Sequence, residues 1–273
     1  MHISAPDPRS SVASRLRAAG CVFAEDEARL LVSEARTPAD LNDMVDRRAC
    51  GQPLEYVLGW AEFCGLRIAV DPAVFVPRRR TEFLVGQAAG LRPQAKRGLP
   101  VVVADLCCGS GAVGAALAAQ LGGVDLYAAD IDGAAVRCAR RNTAAAGGRV
   151  YQGDLYEPLP GRLRGHVEIL VANAPYVPSG EVGLLPPEAR VHEALVALDG
   201  GVHGLDVLRR VTAEAPDWLA PGGSLLFETS KSQAPQMAEA VAASGLTARV
   251  TKSEDLDATV VIGTRAVGQP ATG

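Results

Sequence analysis

The stretch Val101-Val102-Val103-Ala104-Asp105-Leu106-Cys107-Cys108-Gly109-Ser110-Gly111-Ala112-Val113-Gly114 decides how this chain folds. Val101–Leu106 is short, apolar and closed by glycines, the pattern of a buried strand. Gly109 to Gly114 fits G-x-G-x-x-G, and the apolar residues from Gly111 to Leu121 read as the helix that follows. Asp130 lies 19 positions beyond Gly111 at the end of the next apolar run, where an acidic side chain holds ribose hydroxyls in nucleotide-binding folds. Working outward, further strands are expected at 124–129, 150–152, 168–172 and 224–228. Intervening helices are expected at 133–146 and 206–219, the last ended by Pro221-Gly222-Gly223. Such alternation implies a parallel sheet covered by helices on both faces. Residues 248–251 and 259–263 read as an added antiparallel pair.

Upstream of the sheet the pattern changes. Residues 10 to 50 carry Val12, Leu16, Leu30, Leu31, Leu41, Met44 and Val45 near helical spacing, with Pro38 suited to a first helical position. Gly51-Gln52-Pro53 is expected to end this helical part. Trp60 to Val70 reads as a hairpin, Pro77 to Arg80 as a turn, and Thr81-Glu82 as the cap of the next helix. The expected organisation is a helical N-terminal domain over 1–60, a hairpin linker over 61–80 and an α/β domain over 81–273.

Composition narrows the function classes. The 273 residues are 48% hydrophobic, enough for a large core, and the net charge of −4 offers no general attraction to nucleic acid. Arg78-Arg79-Arg80 is the one conspicuous basic cluster. Six cysteines without a C-x-x-C pair, and only four histidines, argue against a metal site and for free thiols in a reducing compartment. With no signal peptide and no membrane-length apolar run, a cytoplasmic protein is expected.

Charge selects the nucleotide. Asp105 precedes Gly109 by four positions, and a carboxylate about 4 Å from a pyrophosphate would cost on the order of 4 kcal/mol at an effective dielectric of 20. S-adenosyl-L-methionine has no phosphate and carries an ammonium and a sulfonium, both favoured beside a carboxylate. Asp154, in Gln152-Gly153-Asp154-Leu155, either meets the adenine amino group or serves as a turn residue. A second loop, Asn173-Ala174-Pro175-Tyr176, follows Ile169-Leu170-Val171-Ala172 at a strand's carboxyl end, where open α/β sheets place ligands. The Asn173 amide and a bare backbone carbonyl can accept two hydrogen bonds from one planar NH2 group, with Tyr176 covering its face. Together the loops point to methylation of an amide or amino nitrogen.

Asp105–Gly114, Ala129-Asp130-Ile131-Asp132, Gly153-Asp154-Leu155-Tyr156-Glu157-Pro158 and Asn173–Tyr176 resemble the successive motifs of the HemK/PrmC protein-(glutamine-N5) methyltransferases. Glu55–Gly59, Phe75–Arg78, Pro187–Arg190 and the run Leu198–Gly201 through Gly204–Asp206 are also similar, so the resemblance spans roughly residues 50 to 265. It implies a Rossmann-like class I methyltransferase sheet behind a small helical domain, acting on the glutamine of the Gly-Gly-Gln loop in peptide-chain release factors. By the same resemblance Cys107, Cys108, Gly109, Ser110 and Gly111 surround the methionine part of the cofactor, Asp130 its ribose and Leu155 its adenine. Asn173 and the Ala174 carbonyl take the two N–H groups of the acceptor amide, while Pro175 and Tyr176 shape its slot.

Two departures stand out. The family has Asn-Pro-Pro-Tyr where this chain has Ala174; Pro175 still biases Ala174 toward extended backbone, but Asn173 loses the same restraint. Arg78-Arg79-Arg80-Thr81-Glu82 replaces Arg-Pro-Glu-Thr-Glu, placing Arg80 where an acid is usual. The leading expectation is a monomeric glutamine methyltransferase of a release factor. Competing readings are N-methylation of a nucleobase, N-methylation of a small molecule, and a non-catalytic cofactor-binding module.

Overall fold

The computed structural model describes residues 7–91 and 99–268. The expected domain ends, 1–6 and 269–273, lie outside the described residues. Four helices open the chain: α1 (Pro8–Ala18), α2 (Ala24–Glu34), α3 (Pro38–Ala49) and α4 (Leu54–Leu58). Asp7 and Thr37 cap α1 and α3 through side-chain oxygens, and Pro38 occupies the first turn as its fixed φ favours. Gly51-Gln52-Pro53 does not end the helical part, because α4 follows with Pro53 at its N-cap. Val12, Leu16, Leu31, Met44, Val45 and Val57 form a core of their own among these helices. The hairpin β1 (Trp60–Phe63) and β2 (Leu66–Ala69) comes next, then α5 (Glu82–Gly90).

The remaining elements are β3 (Val101–Leu106), α6 (Ala112–Leu121), β4 (Val124–Asp130), α7 (Gly133–Thr143), β5 (Arg149–Gln152), β6 (Val167–Ala172), α8 (Pro187–His192), α9 (Asp206–Trp218), β7 (Leu219–Thr229), α10 (Ala234–Ala243), β8 (Thr247–Ser253) and β9 (Ala258–Thr264). One seven-stranded sheet runs β5-β4-β3-β6-β7-β9-β8. Strands β3 to β7 are parallel, and β9 and β8 close one edge antiparallel. Alternate residues serve opposite faces. Val103, Ile169 and Leu226 pack with α5 and α6, while Leu106, Leu170 and Phe227 pack with α9 and α10. The strand order reverses between β3 and β6, so the loops after these two strands flank the switch point.

Three local expectations are corrected. Pro221-Gly222-Gly223 does not end α9; the helix stops at Trp218, and the three residues form an irregularity in β7, where its register with β6 shifts between Val167 and Ile169. Thr81 and Glu82 do not cap α5: the Thr81 hydroxyl donates to Glu228 (2.7 Å), and Glu82 accepts from the Cys64 N–H (3.0 Å). Helix α10, absent from the sequence reading, crosses between β7 and β8.

Candidate active site

Two cavities of about 250 and 240 Å³ meet at the carboxyl ends of β3 and β6. Asp105, Cys107, Cys108, Gly109, Ser110, Asp130, Asp154, Leu155, Asn173 and Pro175 all line the first. Ala174 and Tyr176 line the second. Phe75, Asn173, Pro175 and Ala197 belong to both walls, so the Asn173 side chain stands at the junction.

The first cavity is built on constrained backbone. Cys107 (φ 53°) and Leu155 (φ 47°) adopt the left-handed conformation without being glycine. Such residues cost on the order of 1 kcal/mol and concentrate at ligand sites. Asp130 holds the glycine loop in place: one carboxylate oxygen accepts from the Gly109 N–H (2.8 Å), the other from the Asp132 N–H (2.9 Å). Burial raises its pKa, and those backbone N–H groups pull it back. Asp105 faces α6 and accepts from the Gly114 N–H (2.9 Å). The third glycine of the motif is small for that reason, since a Cβ there would lie 3.1 Å from an Asp105 oxygen. Buried at 1% exposure, Asp105 has its pKa pushed up to about 7.

Gly111 departs from its expected place. It does not line the cavity; its bare Cα faces α7, where a Cβ would come within 2.9 Å of Ala139. It is required for helix–helix packing, not for close approach to a ligand. Asp154 is likewise engaged by protein, pairing with Arg210 at 2.6 Å on the cavity wall. Arg210, Phe75, Val207 and the half-exposed Ile131 escaped the sequence reading. Only Ile131, an apolar residue between two acids at a strand end, left a local signal.

The second cavity takes its shape from distant segments. Val177 donates to the Leu198 carbonyl and accepts from the Gly200 N–H, fastening the Asn173 loop to residues 198–204. Gln233 donates to the Tyr176 carbonyl (2.9 Å). The Tyr176 hydroxyl donates to Glu228 (2.9 Å), a buried carboxylate that also receives Thr81 and Arg80 (3.1 Å). Burial raises the Tyr176 pKa, reinforced by Glu228, so the phenol stays protonated as a donor. Arg78 pairs with buried Glu193 at 2.5 Å, so neither it nor Arg80 is a free surface arginine. Among the described residues the Asn173 side chain has no hydrogen-bond partner, which leaves its carboxamide available to a ligand.

A family model described as "Methyltransferase small domain" matches residues 91–252. A release factor glutamine methyltransferase of Bradyrhizobium diazoefficiens is 32% identical over 257 residues, covering 87% of this chain and 86% of the relative. The chain belongs to the HemK/PrmC family of methyltransferases. Its methyl donor is S-adenosyl-L-methionine. A release factor glutamine methyltransferase of Geobacter sulfurreducens is 39% identical over 193 residues; the match covers 70% of this chain but only 65% of that relative. A 4-amino-L-phenylalanine/4-methylamino-L-phenylalanine methyltransferase of Streptomyces pristinaespiralis is 38% identical, with coverage of 67% and 63%. In fold the chain is similar to a methyltransferase from Pyrococcus furiosus, with TM-score 0.53, 18% identity and coverage of 74% and 90%.

The donor set fits that cofactor. Asp105, Asp130, Asp132 and Asp154 surround the first cavity, and its one arginine, Arg210, is already paired with Asp154. This acidity repels phosphate and favours a cation-bearing nucleoside. No helix among the described residues is long and apolar enough to cross a membrane.

Proposed function

We propose that this protein methylates the side-chain nitrogen of a glutamine in a peptide-chain release factor, acting as a cytoplasmic monomer. The observation that supports the reading above all others is Asn173 lining both cavities, one suited to the methyl donor and one to the acceptor. When bound, S-adenosyl-L-methionine supplies a methyl group made electrophilic by its sulfonium. Asp130 is assigned to its ribose, Leu155 with Ile131 and Val207 to the adenine, and Asp105 with the Cys107–Ser110 loop to the methionine part.

The residues of the chain then have three tasks. An amide nitrogen is a poor nucleophile because its lone pair is delocalised, so it must be held in line. The Asn173 carboxamide oxygen and the Ala174 carbonyl accept its two N–H groups, which fixes the direction of attack and stabilises positive charge as it develops on nitrogen. Pro175 and Tyr176 wall the slot and exclude water. No general base is needed before transfer, since the proton leaves only after the nitrogen has become cationic.

The test is transfer of labelled methyl to a release factor and to a variant whose loop glutamine is alanine. Label on the first alone is expected; equal labelling of both would remove the assignment. Arg80 at the acceptor wall and the Streptomyces relative together favour a second reading, N-methylation of a free amino acid bearing an amine. Methyl transfer to such an acceptor, with none to the release factor, would decide for it.

A further inference from the structure

Tyr176 and Arg80 line not only the acceptor cavity but also a third, of about 480 Å³, on their far side. Its remaining walls are Glu228, Thr229, Ser230, Lys231, Ser232, Asp257 and Thr259. All of these side chains are polar, in contrast to the acceptor cavity with its Leu185, Pro186, Ala189 and Leu198. The partition between the two cavities is rigid. Tyr176, Thr81 and Arg80 converge from two separate segments on the Glu228 carboxylate, itself 2% exposed at the tip of β7. Arg80 spends only its Nε on Glu228, and its two terminal nitrogens have no partner among the described residues. Lys231 is exposed and forms no ion pair among them.

We propose that this third cavity is a subsite for the main chain flanking the methylated residue, so that the enzyme reads an extended peptide and not an isolated glutamine. The inference rests on the glutamine reading above. A polypeptide entering a site brings one N–H and one C=O per residue, and each needs a partner once water is displaced. A trench of hydroxyls meets that need without selecting side chains, because each hydroxyl both donates and accepts. Arg80 and Lys231 add donors for peptide carbonyls, and Asp257 an acceptor for N–H groups. Carrying both signs of charge, these walls favour neutral peptide groups over a multiply charged ligand. Tyr176 and Arg80 are the sill over which the chain passes from one cavity to the next.

The experiment compares two acceptors under saturating cofactor: a glutamine with both ends blocked as amides, and a peptide with several residues on each side of the same glutamine. Two rim substitutions probe the subsite, Lys231→Ala to remove a donor and Ser232→Trp to fill the space. Both positions are exposed, and unchanged cofactor affinity verifies that each variant is folded. Wild type is expected to favour the longer acceptor by about tenfold or more in kcat/KM, the worth of one or two hydrogen bonds. Each variant should lose most of that advantage through KM while treating the short acceptor as wild type does. Transfer that ignores acceptor length, or variants that impair both acceptors equally, would overturn the subsite and leave the glutamine assignment standing. Failure of wild type to methylate either glutamine would remove both.

Discussion

With the Asn173 carboxamide removed, one backbone carbonyl is left to orient the acceptor. Asn173→Ala should therefore lower kcat by about a hundredfold or more, the usual loss for one oriented charge-stabilising group. Cofactor affinity, read by calorimetry, should change by less than about threefold; undiminished turnover would contradict the amide clamp. Asp105 supplies a pH signature. Its unfolded carboxyl titrates near 3.8 and its folded one near 7, so the folded protein holds an extra proton between those values. Stability from this group is accordingly lost as pH rises through that window, on the order of 4 kcal/mol in all. Asp105→Asn keeps an acceptor for Gly114 and should flatten the fall in urea midpoint between about pH 5 and 7. It should also abolish the strengthening of cofactor binding over about pH 6 to 7.5, because only the ionised carboxylate attracts the ammonium. An unchanged slope in both measurements would show that Asp105 does not titrate there.

The acceptor loop depends on its backing. A Cβ at Gly204, where φ is 70°, would lie 2.2 Å from the Tyr176 carbonyl oxygen, and one at Gly200 would lie 2.6 Å from that of Pro175. Gly204→Ala should cost about 2 kcal/mol or more in urea unfolding and raise the acceptor KM, whereas Gly180→Ala, with open space around it, should do neither. This dependence also marks where sequence reading stops. The strands, the glycine loop and Asp130 were legible because their signals are local: an apolar run, a fixed spacing, an acid at a strand end. The acceptor walls were not. Thr81 and Glu228 meet across 147 positions, and nothing near either residue announces the other. Helix α10 was missed because Ser230-Lys231-Ser232-Gln233 and Pro235 read as a loop, and its alanine-rich body shows little periodicity. Gly111 was misassigned because a G-x-G spacing serves helix packing and ligand approach equally well.

At the scale of the molecule, Arg48 joins the N-terminal helices to the acceptor wall. It pairs with buried Glu27 at 2.6 Å and with Glu188, a residue of the second cavity, at 2.5 Å. Arg48→Met should destabilise the protein by about 3 kcal/mol or more, because Glu27 is left buried and unpaired. Release of Glu188 should raise the acceptor KM severalfold with the cofactor Kd unchanged; equal loss of both affinities would mean the whole site collapses. The sheet itself sets a different limit. Leu106 and Ala172 are register partners on β3 and β6, so the roots of the donor and acceptor loops stand one ladder rung apart, about 4.8 Å. That gauge cannot drift without unzipping the centre of the sheet. Every surface that chooses the acceptor hangs outside it, on residues 73–81 and 179–204 and beyond the tip of β7. Evolution or an engineer can therefore exchange the jaws for another target while the jump the methyl group must make keeps its length.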